Sequence, residues 1–210
     1  MAKGYFIALE GIDGSGKTTQ ANLLGERLAA DGYQVIRVQE PGGTPLGRRI
    51  RKLLLNSPQL EIEPLSELLL YEASRAQLVR QRLIPALQQG KIVISDRFAL
   101  SSIAYQGHGR GIPEKIIESL NELAVSDLSP DLTILLDISL SERERRKEEQ
   151  DRIEQEDREF YKRVIKGFRQ SILEKHDHLI LDGAKPKNQL HDYIYKHVQN
   201  ELLEHYGEPG

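Results

Sequence analysis

Gly11-Ile12-Asp13-Gly14-Ser15-Gly16-Lys17-Thr18 is the stretch whose reading decides the fold. It fits G-x-x-x-x-G-K-S/T, the pattern of a phosphate-binding P-loop. Tyr5-Phe6-Ile7-Ala8-Leu9 precedes it and reads as a short buried strand. Thr19 to Ala30 follows, with Leu23, Leu24 and Leu28 at helical spacing. Strand, glycine loop and helix N-terminus are the context the pattern requires. In that context backbone N–H groups converge on phosphate oxygens, and the helix end adds positive partial charge. Lys17 is then expected to reach the β- and γ-phosphates, and the Thr18 hydroxyl to bind Mg²⁺.

Working outward, the chain alternates apolar strands with helical stretches. Val35-Ile36-Arg37-Val38 reads as a second strand, Lys91 to Ser95 as a third, Leu132 to Asp137 as a fourth and His178 to Gly183 as a fifth strand and turn. Helical patterns lie between them: Leu46–Leu55, Leu65–Gln89 with Pro85 near its end, Pro113–Val125, Phe160–Lys175 and Leu190–Leu203. Ser101 to Gln106 fits one or two helical turns, and Gly107-His108-Gly109-Arg110-Gly111 is too glycine-rich to continue them. The sum predicts one α/β domain over 1–210: a doubly wound, five-stranded parallel sheet with helices on both faces.

Composition narrows the class. A chain of 210 residues suits one α/β domain with a sizeable core. A net charge of −3 argues against a partner that is nucleic acid or an anionic membrane. There is no cysteine, so disulfides and thiolate metal sites are excluded. No apolar run approaches the roughly 18 residues of a membrane span, and the N-terminus lacks a secretory pattern, so the expected location is cytoplasmic. The histidines, among them His176, His178, His191, His197 and His205, form no metal-ligand grouping.

Several short stretches lie where open α/β sheets bind ligands, at strand C-termini. Glu40-Pro41-Gly42-Gly43-Thr44 is either a plain strand-to-helix turn or a loop that approaches a ligand closely. Arg48, Arg49, Arg51 and Lys52 follow it, and form either a solvated face or a cluster with one arginine in a phosphate site. Tyr71 and Arg75 share a helix face, as a surface stack or as a base-directed pair. Asp96 ends the third strand in the manner of a Walker B aspartate that supports Mg²⁺, and Arg97 follows it. Ser141 to Glu159 is nearly all charge. It is either a solvated helix laced with ion pairs or an arginine-bearing flap that closes over phosphates.

Among P-loop proteins, a guanine-reading N-K-x-D is absent, and Asp96 is followed by arginine rather than a water-activating glutamate. That favours a kinase, which needs positive charge on both sides of the transferred group. Other nucleotide or deoxynucleoside kinases, and a non-catalytic nucleotide-binding protein, are the alternatives.

The segments GIDGSGKTTQ, EPGGT, YEASRAQ, DRFALSSIAYQG, GRGI and DRIE, in this order, resemble the bacterial thymidylate kinases along essentially the whole chain. The resemblance implies phosphorylation of dTMP to dTDP with MgATP, a five-stranded parallel sheet and a homodimer. It implies that Gly11 to Thr18 bind ATP phosphates and that Asp13 lies near the acceptor's 3′-hydroxyl and the Mg²⁺. Arg51 and Arg97 would hold the dTMP phosphate. Tyr71 would flank the thymine, Arg75 and Gln106 would bond its edge, Ser102 would line the same pocket, and Tyr105 would crowd the sugar C2′. Because the P-loop holds no basic residue between Gly11 and Gly16, the chain resembles the group that carries its catalytic arginine in a lid, here about 141–157. The lid offers Arg143, Arg145, Arg146, Lys147 and Arg152. Arg146 or Arg152 is expected at the transferred phosphoryl group and Arg143 or Arg145 nearer the adenine. Two positions depart from the family pattern: Gln39 stands where many members have arginine, and Phe98 replaces a tyrosine or histidine, so that only ring packing would survive there.

Overall fold

The computed structural model describes residues 4–57, 59–146, 151–175 and 177–207. Five strands form one parallel sheet: β1 Tyr5–Glu10, β2 Val35–Gln39, β3 Ile92–Asp96, β4 Leu132–Asp137 and β5 His178–Asp182. Their order is β2-β3-β1-β4-β5, with every pair parallel. From β1 the chain crosses to the edge strand β2, returns to β3 beside β1, and then passes to β4 and β5 on the other side. The loop after β1 sits where the two sides diverge, the crevice in which such sheets bind ligands.

Period-two alternation builds a core on each face. Tyr5, Ile7 and Leu9 pack with α1 (Lys17–Ala30) and, later in the chain, α9 (Lys187–Tyr206). Phe6 and Ala8 point the other way, onto Leu78, Val79, Leu83, Ala86 and Leu87. A third cluster joins α2 (Pro45–Leu55), α3 (Pro64–Leu78) and α8 (Arg158–Ser171) under the C-terminal end of the sheet. Among the described residues no helix is long and apolar enough to cross a membrane.

Two helical stretches differ from expectation. The pattern over 65–89 is not one helix: α3 gives way to a π-helical turn, Val79–Leu83, before α4, Ile84–Gln88. Pro85 in the first turn of α4 has no N–H to continue the ladder, so the turn before it widens. The glycine run after Gln106 does not stop the helix. The short helix α5, Ala99–Ser102, continues as a π-helical segment, Ile103–Gly109, ahead of α6, Glu114–Val125. The glycines serve close packing there. A Cβ on Gly109 would stand 2.7 Å from the Phe160 ring, and one on Gly167 of α8 would stand 2.7 Å from the His108 ring.

Among its described residues, the charged run from Ser141 is helical in α7, Leu140–Arg146, and again from Arg158, where α8 begins. Residues 151–157 form turns, and Asp157 caps α8 by accepting the Phe160 N–H at 2.7 Å. Lys147 and His176 lie outside the described residues.

Candidate active site

A cleft of about 910 Å³ opens along the C-terminal ends of the strands. At one end lies the P-loop. Gly11, Gly14 and Gly16 all have positive φ, and a Cβ on Gly11 would stand 2.5 Å from the Leu136 carbonyl oxygen. Only glycine fits that approach. Asp13, Gly14, Gly16, Lys17 and Thr18 line the cleft. Gly11, Ile12 and Ser15 support it from behind, with Ile12 in the core and its carbonyl accepting the Lys17 Nζ at 2.9 Å.

Lys17 is nearly buried beside Arg97. Burial, and then the Arg97 charge, push its pKa down to about 8, with Asp96, Asp13 and Glu10 opposing. The Thr18 hydroxyl donates to Asp96 Oδ2, from the first turn of α1 to the end of β3. A hydroxyl and a carboxylate side by side at a phosphate loop are the hard oxygen donors that suit Mg²⁺, whose remaining positions are filled by water and substrate phosphates. These residues therefore fit the ion.

Arg97 crosses the middle of the cleft. Its Nη1 donates to the Gly11 carbonyl at 2.8 Å and to Ser101 Oγ at 3.2 Å, and its Nη2 pairs with Asp13 Oδ1. Its backbone is left-handed, φ 74°, which costs a non-glycine residue about 1–2 kcal/mol. Glu10 holds that corner from inside. It accepts from the Phe98 N–H at 2.8 Å, the Ser101 N–H at 3.3 Å and the Ser101 hydroxyl at 2.6 Å. Asp13 also accepts from Tyr105 at 2.8 Å and Tyr161 at 3.3 Å. Burial alone would raise the Asp13 pKa. The Arg97 and Lys17 charges and the Tyr105 bond outweigh it and hold the carboxyl well below the usual range.

Arg51, Tyr71, Arg75, Ser102, Tyr105 and Gln106 line the rest of the cleft. The basic cluster on α2 divides: Arg48, Arg49 and Lys52 face solvent, while Arg51 turns inward and donates to the Pro41 carbonyl at 3.1 Å. Glu40 and Pro41 also line the cleft, so the start of this loop borders it. Arg75 is 1% exposed and already heavily engaged. Its Nε donates to Glu40 at 2.8 Å, Nη1 to Glu72, Ser102 and Asn121 at 2.5, 2.9 and 2.6 Å, and Nη2 to the Phe98 carbonyl at 3.1 Å. Among the described residues nothing accepts the second Nη2 hydrogen. Phe98 packs edge-on to Phe6 with ring centroids 4.9 Å apart, so ring packing is what this position keeps. Gln39 is exposed at the cleft rim.

The arginines of the charged segment separate by direction. Arg146 lines the cleft and donates to the Gly14 and Gly183 carbonyls, both at 3.0 Å. Arg143, one turn earlier, lines it too, with its guanidinium 3.5 Å from the Tyr161 ring centroid. Arg145 is exposed and paired with Glu142 at 2.7 Å. Arg152 departs from the expectation of a phosphoryl contact. It donates to the Leu54 carbonyl at 2.8 Å and to Glu67, and it is not among the cleft residues. The buried carboxylate Glu67 supplies a closer partner than the cleft does.

The sequence reading passed over Glu10, Glu67, Glu72, Asn121 and Tyr161. Glu10 carried one signal: a lone acid at the end of an apolar strand, immediately before the P-loop.

Comparison with known proteins agrees with this geometry. The family model described as thymidylate kinase matches residues 9–194. A thymidylate kinase of Deinococcus radiodurans is 46% identical over 202 residues, covering 94% of this chain and 98% of the relative. One from Exiguobacterium sibiricum is 46% identical over 203 residues, covering 95% and 96%. The crystal structure of thymidylate kinase from Ehrlichia chaffeensis superposes with a TM-score of 0.79 at 37% identity, covering 94% of this chain and 99% of that one. With a matching family model over most of its length and relatives aligned nearly end to end, the chain belongs to the thymidylate kinase family.

Proposed function

We propose that the chain transfers the γ-phosphoryl group of ATP to the 5′-phosphate of dTMP, giving ADP and dTDP. The observation that carries this reading is one continuous cleft with a P-loop at one end, a tyrosine, an arginine and a glutamine at the other, and the Arg97–Asp13 pair between them. Phosphoryl transfer of this kind needs alignment and charge stabilisation more than covalent chemistry.

In this reading the loop backbone and Lys17 hold the ATP phosphates. Thr18 and Asp96 would hold Mg²⁺, which when bound neutralises charge on the phosphate oxygens. Arg51 and Arg97 hold the acceptor phosphate. No strong general base is required, because that phosphate is already largely ionised near neutral pH. Asp13, kept ionised, accepts from the sugar 3′-hydroxyl, and Tyr105 occupies the space a 2′-hydroxyl would need. Tyr71 flanks the base, Ser102 lines its pocket, and Arg75 and Gln106 bond its edge. Residues 141–157 act as the lid. We assign the phosphoryl-facing role to Arg146, which already touches the P-loop, and not to Arg152, which faces Glu67.

A homodimer belongs to the same proposal. Leu46 and Leu53 on α2, Leu65 and Leu69 on α3, and Ile116 and Leu123 on α6 are exposed large apolar side chains. The three helices are neighbours, with α3 packed against both α2 and α6, and such a patch suits burial against a second copy. Sedimentation should give twice the 23.9 kDa chain mass, and a single-chain mass would contradict the dimer.

A coupled ADP-release assay over dTMP, dUMP, dCMP, dGMP and UMP tests the reaction. We expect the highest kcat/KM with dTMP; a clear preference for another acceptor would refute the substrate assignment. Lys17→Ala is expected to abolish turnover, and retained full activity would reject the role of the loop.

The depressed Lys17 pKa adds a pH signature. Above about 8 the empty site loses the ammonium charge, and bound phosphates favour its return. ATP affinity should therefore fall as pH rises through that value, and calorimetry in buffers of different ionisation enthalpy should find proton uptake on ATP binding near pH 9 but not near pH 6.5. Lys17→Met should show no uptake; equal uptake in wild type and variant would place the proton elsewhere.

A further inference from the structure

Gln106 is 2% exposed and lines the cleft. Its amide has an accepting face and a donating face of nearly the same shape, and either could meet a ligand. A residue outside the cleft decides which. Glu67, in the first turn of α3, is fully buried, and its Oε1 accepts the Gln106 Nε2 at 2.9 Å. The same carboxylate takes Arg110 through Nε at 3.1 Å and Nη2 at 3.0 Å, and Arg152 through Nη2.

Burial by itself would raise the Glu67 pKa. The Arg110 bond and charge, with Gln106 and Arg152, hold it below the usual carboxylate range. Glu67 is therefore ionised at neutral pH and can only accept hydrogen bonds. The amine of Gln106 must face it. Oε1, to which none of the described residues donates, is left for the cleft. Four residues earlier Ser102 accepts from Arg75, which lines the same cleft and whose second Nη2 hydrogen meets no acceptor among the described residues.

We propose that Glu67 is a positioning residue for base selection: it locks the Gln106 carbonyl toward the acceptor base. The pocket then offers one donor and one acceptor. That pair matches the 4-oxo group and N3–H of thymine or uracil. Cytosine presents a 4-amino group and an unprotonated N3, so both contacts fail. Arg152 closes on the same carboxylate from the segment after α7, so one buried residue joins the lid to the base pocket. This inference rests on Gln106 contacting the base, as in the proposed function.

The test measures kcat/KM for dTMP and dCMP in the full-length wild type, Glu67→Gln and Gln106→Ala, with the KM for ATP in parallel. An amide at 67 can donate as well as accept, so Gln106 is free to turn over. We expect Glu67→Gln to lower the preference for dTMP over dCMP by about tenfold or more, chiefly through the nucleotide KM, with the KM for ATP within about twofold of wild type. If Gln106→Ala loses the preference but Glu67→Gln keeps it, the base contact stands and the positioning role is overturned. If Gln106→Ala keeps the full preference, the base contact itself fails and the inference falls with it. Should Glu67→Gln not fold, side-chain amide NMR of the wild type decides. The Gln106 NH₂ signals, assigned by their loss in Gln106→Met, should exchange slowly in the free protein and stay protected with dTMP bound. Fast, water-like exchange in both states would overturn the proposal.

Discussion

The ion pair between Arg97 and Asp13 ties the ends of two adjacent strands together across the middle of the cleft. Arg97 follows β3, Asp13 follows β1, and the two strands pair in register up to Leu9 and Asp96. To reach across, Arg97 takes a left-handed backbone that arginine disfavours. The conformation is held by bonds that no ligand supplies: Glu10 on the following N–H groups and the Ser95 hydroxyl on the Arg97 carbonyl at 2.6 Å. The P-loop and the corner after β3 are thereby fixed to each other by the protein's own bonds.

The same device recurs around the cleft. Each inward arginine or amide is aimed by an acid or carbonyl behind it. Arg75 is held by Glu40 and Glu72, Arg51 by the Pro41 carbonyl, Gln106 by Glu67 and Arg146 by Gly14 and Gly183. Two acids around Arg75 exceed its single charge. Glu40 reflects this: burial pushes its pKa up to about 7, Arg75 opposes, and Glu72 adds to the rise. Preorganised donors of this kind need little rearrangement when charge develops on a transferring group. The arrangement also explains why the cleft can be rich in arginine while the chain as a whole is slightly acidic.

Much of this was legible in the sequence, because it depends on local pattern. The five strands followed from apolar runs, and the P-loop from glycine spacing. Asp96 and Arg97 followed from their place at a strand end. What stayed hidden depends on partners far along the chain. Glu67 meets Gln106 and Arg152 across 39 and 85 positions, so its role has no local signature. The resemblance places Arg152 and Arg146 in the same lid, and only the buried acid near one of them separates their directions. The glycines after Gln106 looked like a break, whereas α8 packs so closely on Gly109 that a side chain there would collide. Chain flexibility and close approach leave the same trace in a sequence.

The claim that Asp13 and Arg97 work as one unit is tested most directly by a double-mutant cycle on the single-turnover rate of phosphoryl transfer, with Asp13→Asn, Arg97→Lys and the double variant. The account predicts strong non-additivity. Each single change should cost nearly as much as both together, with a coupling above about 1 kcal/mol. Losses that simply add would mean that the two residues act independently, and would contradict the account.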